Sequence, residues 1–188
     1  MNAIVRNVPM TAKPIDGPAI PPEHFTAAMA RAATGVTIVT TDGEAGRLGM
    51  TVSAFSSVSA EPPLLLVCIN RKSPLIGAVG SNGVFCVNLL STRQRALADK
   101  FAGRPHIGDP YSFDEDIWHS RHTGAPVLIG SVAHFDCSVE SAHDAGSHRI
   151  FIGRVRHADS NEHTPLVYNA REYQQTAQLQ EHDHDQNR

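Results

Sequence analysis

The sequence is poor in cysteine and in aromatic residues, and it contains no dense run of basic residues. Its three cysteines, Cys68, Cys86 and Cys137, are odd in number, far apart and set in apolar stretches. A free cysteine in such a place behaves as a small hydrophobic residue, so no disulfide framework is indicated. The 16 Lys and Arg against 19 Asp and Glu give a net charge of −3, which argues against nucleic-acid binding.

Long hydrophobic runs are missing as well. The sequence contains no apolar run of about 18 residues, the length that a membrane-spanning helix needs, and its N-terminal segment has no signal-peptide core. We therefore expect a cytoplasmic protein without a membrane partner. With 41% hydrophobic and 19% charged residues in 188, the chain has enough apolar material for one folded core.

Proline and polar residues mark the two ends of the chain. Five of the twelve prolines fall within residues 1–22, which predicts an extended arm because proline blocks helices and central strands. Residues 176–188 are polar and are expected to fray, since they carry few apolar anchors. The sequence therefore predicts one domain over residues 23–175.

The first half of that domain shows both helical and strand patterns. Apolar residues at helical spacing predict a helix that begins at residue 23 and ends at Gly35. The β-branched run 36–41 and the run 48–59 predict a hairpin, and the apolar run 64–70 predicts a strand buried on both faces.

Capping signals predict two more helices. Ser73 followed by Pro74 begins a short helix over 74–79, and Ser91 with Gln94 fits a capping box before a helix that ends at Gly103. A further strand is predicted over 83–90.

Two long strands are predicted in the second half. Strict alternation after residue 130 places Phe135 and Cys137 on one face and His134 and Asp136 on the other, which predicts a half-exposed strand. A turn at 144–147 leads to its partner strand, 148–159. A last short strand covers 165–169, whereas the polar stretch 104–125 has no assignable pattern.

This order of elements predicts the fold class. About seven strands joined mostly by hairpins, with two or three short inserted helices, favour a mainly β, antiparallel closed barrel, since closure removes exposed strand edges. A dinucleotide-binding parallel sheet is disfavoured, because the sequence lacks G-x-G-x-x-G and strand–helix–strand crossovers of adequate length.

Catalytic motifs of hydrolases are absent, but one pair of segments can bind an anion. Hydride transfer between two cofactors needs no protein nucleophile, so an enzyme of that kind shows few motifs. Residues 49–59 are rich in hydroxyls and small side chains, and Arg71 and Lys72 precede a predicted helix start, where anions bind. We expect the hydroxyl-rich segment and the cationic turn to converge on one anionic group.

The run GMTVSAFSSVSAEPPLLLVCINRKSP (49–74) resembles the flavin-binding signature of the short-chain flavin reductases, the reductase components of two-component flavin-dependent monooxygenases. Segments 97–103, 145–155 and 165–173 agree with the same family in the expected order. The resemblance implies an FMN-binding split β-barrel, a homodimer that holds FMN or FAD at its interface, NADH or NADPH as co-substrate, and a separate monooxygenase partner.

The resemblance also implies roles for individual residues. Ribityl and phosphate contacts fall on Thr51, Val52, Ser53 and Ala54, contacts near the ring on Ser56 and Ser57, and backbone contacts to the ring edge on Cys68, Ile69 and Asn70. Further phosphate contacts fall on Lys72 and Ser73, while Phe101 would close over the flavin and Tyr168 would contribute from the last strand.

His148 takes the place of the histidine in the family's Gly-Asp-His element, close to nicotinamide and flavin, and is the implied catalytic residue. This chain has Ser147 where the family has the middle aspartate. The change removes a carboxylate beside the nucleotide site, so it affects the binding of pyridine nucleotide more than that of flavin.

Three alternatives remain open on the sequence. The chain could be a non-enzymatic flavin-binding electron carrier or storage protein, which the Ser147 substitution favours. An oxidase resembling the pyridoxamine-phosphate oxidases would need an arginine cluster, and the sequence shows none. The histidine pairs His119/His122 and His182/His184 suggest a metal site, but they lack further ligands at familiar spacing, so we expect solvated histidines and no metal.

Overall fold

The computed structural model describes Gly17 and residues 19–178. Most of the predicted N-terminal arm and the end of the predicted tail lie outside the described residues. The three helices are α1 (Pro22–Met29), α2 (Leu75–Asn82) and α3 (Arg95–Phe101), with 3₁₀ turns at Thr92–Gln94 and Glu115–Ile117. The twelve strands are β1 (Thr34–Gly35), β2 (Thr37–Thr41), β3 (Leu48–Val52), β4 (Phe55–Ser59), β5 (Leu64–Asn70), β6 (Val84–Leu89), β7 (Trp118–Ser120), β8 (Pro126–Leu128), β9 (Ala133–Ala145), β10 (His148–Ser160), β11 (Leu166–Asn169) and β12 (Glu172–Gln175).

Seven strands form one antiparallel sheet in the order β3-β2-β6-β9-β10-β5-β4. The two outermost strands, β3 and β4, are consecutive pieces of one segment that is interrupted at Ser53 and Ala54. The chain connection through Ser53 and Ala54 therefore joins the two ends of the sheet. The Cys68 N–H, in β5, donates to the Ala54 carbonyl over 2.9 Å, which continues the β4–β5 pairing into the interruption. The predicted mainly β, antiparallel barrel with short inserted helices is confirmed.

Two large apolar clusters and a small one, formed by Cys86, Ala125 and Val127, fill the interior of the described part of the chain. Inside the barrel, Val39, Val67, Phe85 and Phe151 pack together, all with at most 1% of their surface exposed. A second cluster lies between the sheet, α3 and β7, and contains Ile38, Leu90, Phe101, Trp118 and Leu128. The second cluster fixes α3 against the barrel.

The first helix is shorter than predicted. The helix ends at Met29, and Gly35 lies in β1. A side chain at position 35 would be crowded, because its Cβ would lie 2.9 Å from the Leu89 side chain. The predicted apolar spacing is present, but Phe25 and Met29 are 56% and 52% exposed. Within the described residues, nothing covers this face of α1.

Two further predictions about the first half need correction. The second helix continues past Gly80 to Asn82 and ends at Gly83, whose φ of 68° suits glycine. Strand β5 is not buried on both faces: Leu65 and Val67 point into the core, whereas Leu66 and Cys68 are partly exposed. Burial alternates along β5, as is common for an antiparallel strand with one face packed on the core.

The alternating pattern predicted that β9 is half-exposed, but the first part of this strand is buried on both faces. His134 and Asp136 are buried, because the loop at 121–125 covers that face. The Asp136 carboxylate accepts hydrogen bonds from the backbone N–H groups of His122 and Thr123, both at 3.0 Å, and from the Thr123 hydroxyl. The stretch that had no assignable pattern therefore folds over the strand, which the alternation alone could not indicate.

No helix in the described part of the chain is long and apolar enough to cross a membrane.

Two glycines give a matched test of the barrel core. A Cβ on Gly153, in β10, would overlap the Phe85 ring and lie 2.9 Å from the Cys137 Cβ, whereas a Cβ on Gly77, in α2, would meet nothing within 4 Å. We expect Gly153→Ala to lower the free energy of unfolding by about 1–3 kcal/mol through overpacking. Gly77→Ala should raise it by about 0.5–1 kcal/mol, because alanine is the better helix former. Urea unfolding measures both, and equal stabilities would contradict this packing.

Candidate functional site

A cavity of about 190 Å³ lies where the interruption between β3 and β4 faces the end of β5 and the start of β10. Its lining residues come from these three places and are Met50, Thr51, Val52, Ser53, Ala54, Cys68, Ile69, Asn70 and His148. All of them except Met50 belong to the predicted set. The structure thus brings together residues that are nearly 100 positions apart in the sequence.

Strand register explains how His148 reaches this cavity. In the antiparallel pair β5–β10, His148 lies opposite Asn70, and Cys68 lies opposite Ile150. The small side chains of Ser53 and Ala54 leave the backbone of the interruption accessible, while Val52 and Ile69 are buried beneath it. The cavity therefore combines accessible backbone with an apolar floor.

The turn after β5 lies beside the hydroxyl-rich segment, as predicted. Within the turn, the Asn70 side-chain oxygen accepts the Lys72 N–H at 2.9 Å, and the Ser73 hydroxyl oxygen accepts the Leu75 N–H at 3.2 Å. The Ser73 hydroxyl also lies 3.5 Å from the Met50 sulfur, which joins the turn to β3. Lys72 is exposed and has no carboxylate partner within 4 Å among the described residues.

Arg71 ties this turn to the one before β10. Its backbone N–H donates to the Ser147 carbonyl at 2.9 Å, and its guanidinium lies 3.4 Å from the Gly146 carbonyl and 3.8 Å from Asp144. A hydrogen bond from Arg149, together with charge from Arg149 and Arg71, lowers the pKa of Asp144. The ionised Asp144 therefore anchors the turn that carries His148.

Two hydroxyls in the cavity differ in what they can bind. The Thr51 hydroxyl donates to the Ala98 carbonyl of α3 at 2.7 Å, so its proton is already used. The Ser53 side chain is exposed, and its hydroxyl has no partner among the described residues. Since an anion needs donors, Ser53 can bind one directly, whereas Thr51 positions α3.

The Ser147 hydroxyl lies 2.9 Å from Nδ1 of His148. A hydrogen bond to one ring nitrogen fixes the orientation of an imidazole and leaves the other nitrogen to the cavity. Serine thus supplies a neutral partner at the position where the resembled family has a carboxylate.

Six predicted residues are not in the lining of this cavity: Lys72 and Ser73 lie in the adjoining turn, and Ser56, Ser57, Phe101 and Tyr168 lie elsewhere. Ser56 and Ser57 are exposed on β4, and Ser57 lines a separate apolar groove with Phe55 and Phe135. Phe101 cannot close over a ligand as predicted, because its side chain is 0% exposed and packs edge-on against Phe113 and Trp118.

Tyr168 also departs from its predicted place. It lies in a different cavity, formed by α3, β11 and β12, because β11 pairs with β1 and β12 rather than with the strands of the first cavity. The same cavity holds Arg95, Arg104 and Arg171. The sequence shows no such arginine cluster, because the three residues come from separate segments.

The sequence-based set missed Met50, which the backbone of β3 places in the first cavity. Methionine carries no signal for such a role, so only the strand register reveals it. The sequence predicts that Arg71 binds an anion together with Lys72, but its guanidinium is directed to the neighbouring turn.

Three histidines stack at the other end of the β9–β10 hairpin. The ring centroids of His122 and His157 are 4.6 Å apart, those of His134 and His157 are 5.3 Å apart, and His134 Nε2 lies 3.2 Å from His157 Nδ1. Burial and the neighbouring His157 lower the pKa of His134. Within Gly17 and residues 19–178, no three potential ligands are arranged to hold a metal, and the second predicted pair, His182 and His184, lies outside this range.

Comparisons with known proteins agree on one family. The sequence profile described as "Flavin reductase like domain" matches residues 29–177. The chain is 42% identical over 161 residues to "FMN reductase (NADH) RutF" of Ancylobacter novellus, which covers 85% of this chain and 88% of that protein. It is 37% identical over 156 residues to "Flavin-dependent monooxygenase, reductase subunit HsaB" of Rhodococcus jostii, which covers 82% and 78%.

A solved structure supports the fold. The structure titled "Flavin reductase PheA2 in native state" superposes with a TM-score of 0.77 and 34% sequence identity, covering 85% of this chain and all of that one. Similarity of this kind extends over the strands that form the first cavity.

Thiol reactivity provides a test of the cavity. Burial raises the pKa of all three cysteine thiols, that of Cys137 to about 12, but only Cys68 is partly exposed. We expect iodoacetamide to modify Cys68 alone in the folded protein, at a rate that increases with pH through 9, because the thiolate is the reactive form. Peptide mass spectrometry locates the label. Modification of Cys137 in the folded protein as fast as Cys68 would contradict this arrangement.

Proposed function

The chain belongs to the flavin reductase like family, and on this premise we propose that it reduces FMN with NADH and supplies the reduced flavin to a separate monooxygenase. The observation that carries the proposal is the first cavity, which combines accessible backbone, a serine hydroxyl without a partner among the described residues, and His148, with a cationic turn beside it. FAD and NADPH are the alternative flavin and nicotinamide.

The reaction moves two electrons and one proton as a hydride from the nicotinamide ring to the flavin ring, and a proton from water completes the reduced flavin. The cofactors supply this chemistry, so the protein must hold two rings in contact and stabilise their charged groups. The absence of a nucleophile motif in the sequence agrees with this division of labour.

The chemistry of the cavity fits a flavin. The Ser53 hydroxyl and the Lys72 ammonium group can hold the phosphate, because each offers donors without a partner among the described residues. Val52 and Ile69 provide an apolar floor, and the backbone at Cys68 to Asn70 can face the ring edge. Phe101 and Tyr168 are not part of this proposal.

His148 would orient the nicotinamide. It lies at the mouth of the same cavity, and its ring is held through Nδ1 by Ser147 and through its backbone by the pairing with Asn70. A neutral serine at this position leaves the nucleotide without a carboxylate partner. We infer that Ser147 chiefly sets the affinity for the nicotinamide nucleotide.

A second copy of the chain would complete the site. The cavity of about 190 Å³ is smaller than the roughly 300–1,000 Å³ of typical small-molecule pockets, so it holds only part of a flavin. The apolar groove beside Phe55 and Phe135 and the exposed apolar face of α1 are surfaces that another copy could bury. We therefore propose a homodimer that adds the missing wall.

The monooxygenase partner is proposed from a relative. A protein 37% identical to this chain is named as the reductase subunit of a flavin-dependent monooxygenase. A reductase of this kind must release its reduced flavin, so moderate flavin affinity is expected.

A flavin carrier without reductase activity is the second candidate. Ser147 favours it, since a weaker nicotinamide site leaves flavin binding intact. Retention of FMN through gel filtration, without NADH oxidation, would select this candidate.

Steady-state turnover tests the main proposal. We expect NADH oxidation that depends on added FMN, with Ser53→Ala and Lys72→Gln each weakening FMN binding about 5-fold to 150-fold, equivalent to about 1–3 kcal/mol. Flavin fluorescence measures the Kd. Arg93→Gln, an exposed cation outside the cavity, is the control and should leave the Kd unchanged.

Two results would count against the proposal. If NADH oxidation with FMN, FAD or riboflavin is no faster than the uncatalysed reaction, the proposed reductase activity is contradicted. Unchanged FMN affinity in both variants would place the phosphate elsewhere.

A second prediction concerns Ser147. Ser147→Ala removes the partner of His148 Nδ1, so the KM for NADH should rise several-fold while the Kd for FMN stays constant. Ser141→Ala is the matched control, because Ser141 lies 3.2 Å from His143 Nε2 in the same hairpin but outside the cavity. An equal change in both variants would show that Ser147 acts only on the stability of the hairpin.

A further inference from the structure

A second cavity, of about 350 Å³, lies between α3 and the β11–β12 hairpin, and we call it the arginine cavity. Its guanidinium groups belong to Arg95, Arg104 and Arg171. None of the three has a carboxylate within 4 Å among the described residues, whereas Arg47, Arg149 and Arg154 are each paired in this way. Clustered guanidiniums without partners repel each other, so an anionic ligand would stabilise them.

Two tyrosines form the aromatic part of the arginine cavity. The ring centroids of Tyr168 and Tyr173 are 5.5 Å apart, and the Arg95 guanidinium lies 5.3 Å from the centroid of Tyr173. Burial and the hydrogen bond to Asp99 raise the pKa of Tyr173 to about 12, so the phenol stays neutral. Aromatic rings beside guanidiniums suit a ligand that has both a planar base and phosphates.

The carboxylates in the arginine cavity do not cancel its charge. Tyr173 donates to Oδ1 of Asp99 at 3.1 Å, and His106 Nε2 lies 3.4 Å from Oδ2, so both oxygens of Asp99 already have partners. Glu172 is the other acidic residue in the lining and is exposed. Three cationic groups therefore face two carboxylates.

The turn that carries Arg171 is held in an unusual conformation. Ala170 and Arg171 have φ values of 51° and 65°, a region that residues with side chains seldom adopt. The Ala170 N–H donates to the Ala30 carbonyl, and the Asn169 side chain donates to the Arg31 carbonyl, both at 2.7 Å. Contacts to the end of α1 thus hold Arg171 at the arginine cavity. Unusual backbone conformations of this kind are concentrated at ligand-binding and active sites.

Helix α3 contacts both cavities in different ways. Its residues Arg95 and Asp99 line the arginine cavity, and its Ala98 carbonyl accepts the hydrogen bond from Thr51, which lines the first cavity.

We propose that the arginine cavity binds the adenosine diphosphate moiety that FAD and NADH have in common, an inference that rests on the proposed function. The guanidiniums would bind the two phosphates in the bidentate geometry that arginine favours, and the adenine would stack on a tyrosine. FMN lacks this moiety, so it would bind without the arginine cavity.

ADP alone is the probe. Isothermal titration of the full-length protein with ADP in low salt should show one site per chain, weakening as salt is added. The double variant Arg95→Gln/Arg171→Gln should weaken ADP binding at least about 10-fold. Arg93→Gln, two residues before Arg95 and outside the cavity, should not. Thermal unfolding shows whether each variant is folded.

Further measurements identify the source of the moiety and separate this inference from the proposed function. A rise in the Kd for FAD but not for FMN in the double variant assigns the cavity to FAD, and a rise in the KM for NADH assigns it to the nicotinamide nucleotide.

Undetectable ADP binding at millimolar concentration, or equal binding by the double variant, overturns the inference even if FMN is reduced. An equal loss of FMN affinity in the double variant also overturns it, because the cavity would then serve the flavin phosphate. ADP binding without any flavin reduction would refute the proposed function while leaving the nucleotide site itself.

Discussion

The two ends of the seven-stranded sheet, β3 and β4, are joined by the chain itself at Ser53 and Ala54, and the candidate site depends on this junction. A hydrogen bond from the Cys68 N–H to the Ala54 carbonyl holds the junction against β5. Because the segment 48–59 serves as both outermost strands, it must bend between them, and the bend at Ser53 and Ala54 leaves accessible backbone. The same closure brings the end of β5 and the start of β10 to the bend. Barrel closure and ligand cavity are therefore one geometric feature.

Sequence reasoning succeeded where the pattern is local or where a family motif is continuous. The hairpin of β2 and β3, the capping box at Ser91 and Gln94, and most of the first cavity lie in such segments. Sequence reasoning failed where contact with a distant segment determines whether a side chain is buried. Asp136 is buried because the loop at 121–125 covers it, and Phe101 is buried because Phe113 and Trp118 surround it.

The two cavities illustrate the same limit. The residues of the first cavity are concentrated in two short segments plus His148, so a motif reveals most of them. The arginines of the second cavity come from α3, the loop after it and the β11–β12 turn, and no spacing in the sequence connects them. Helix α3 supplies Arg95 and Asp99 to the second cavity, buries Ala98 and Phe101 in the second apolar cluster, and accepts a hydrogen bond from the Thr51 hydroxyl of the first cavity.

The raised pKa of the Cys68 thiol affects how readily this cysteine is oxidised in the presence of dioxygen. Reduced flavin that escapes into solution reacts with dioxygen and yields hydrogen peroxide, which attacks thiolates and converts them to sulfenic acid. A thiol is oxidised less readily than its thiolate, and desolvation by the barrel wall raises the pKa of Cys68 and so lowers its thiolate fraction. The wall that shapes the cavity thus also makes the cysteine in its lining less reactive toward this oxidant.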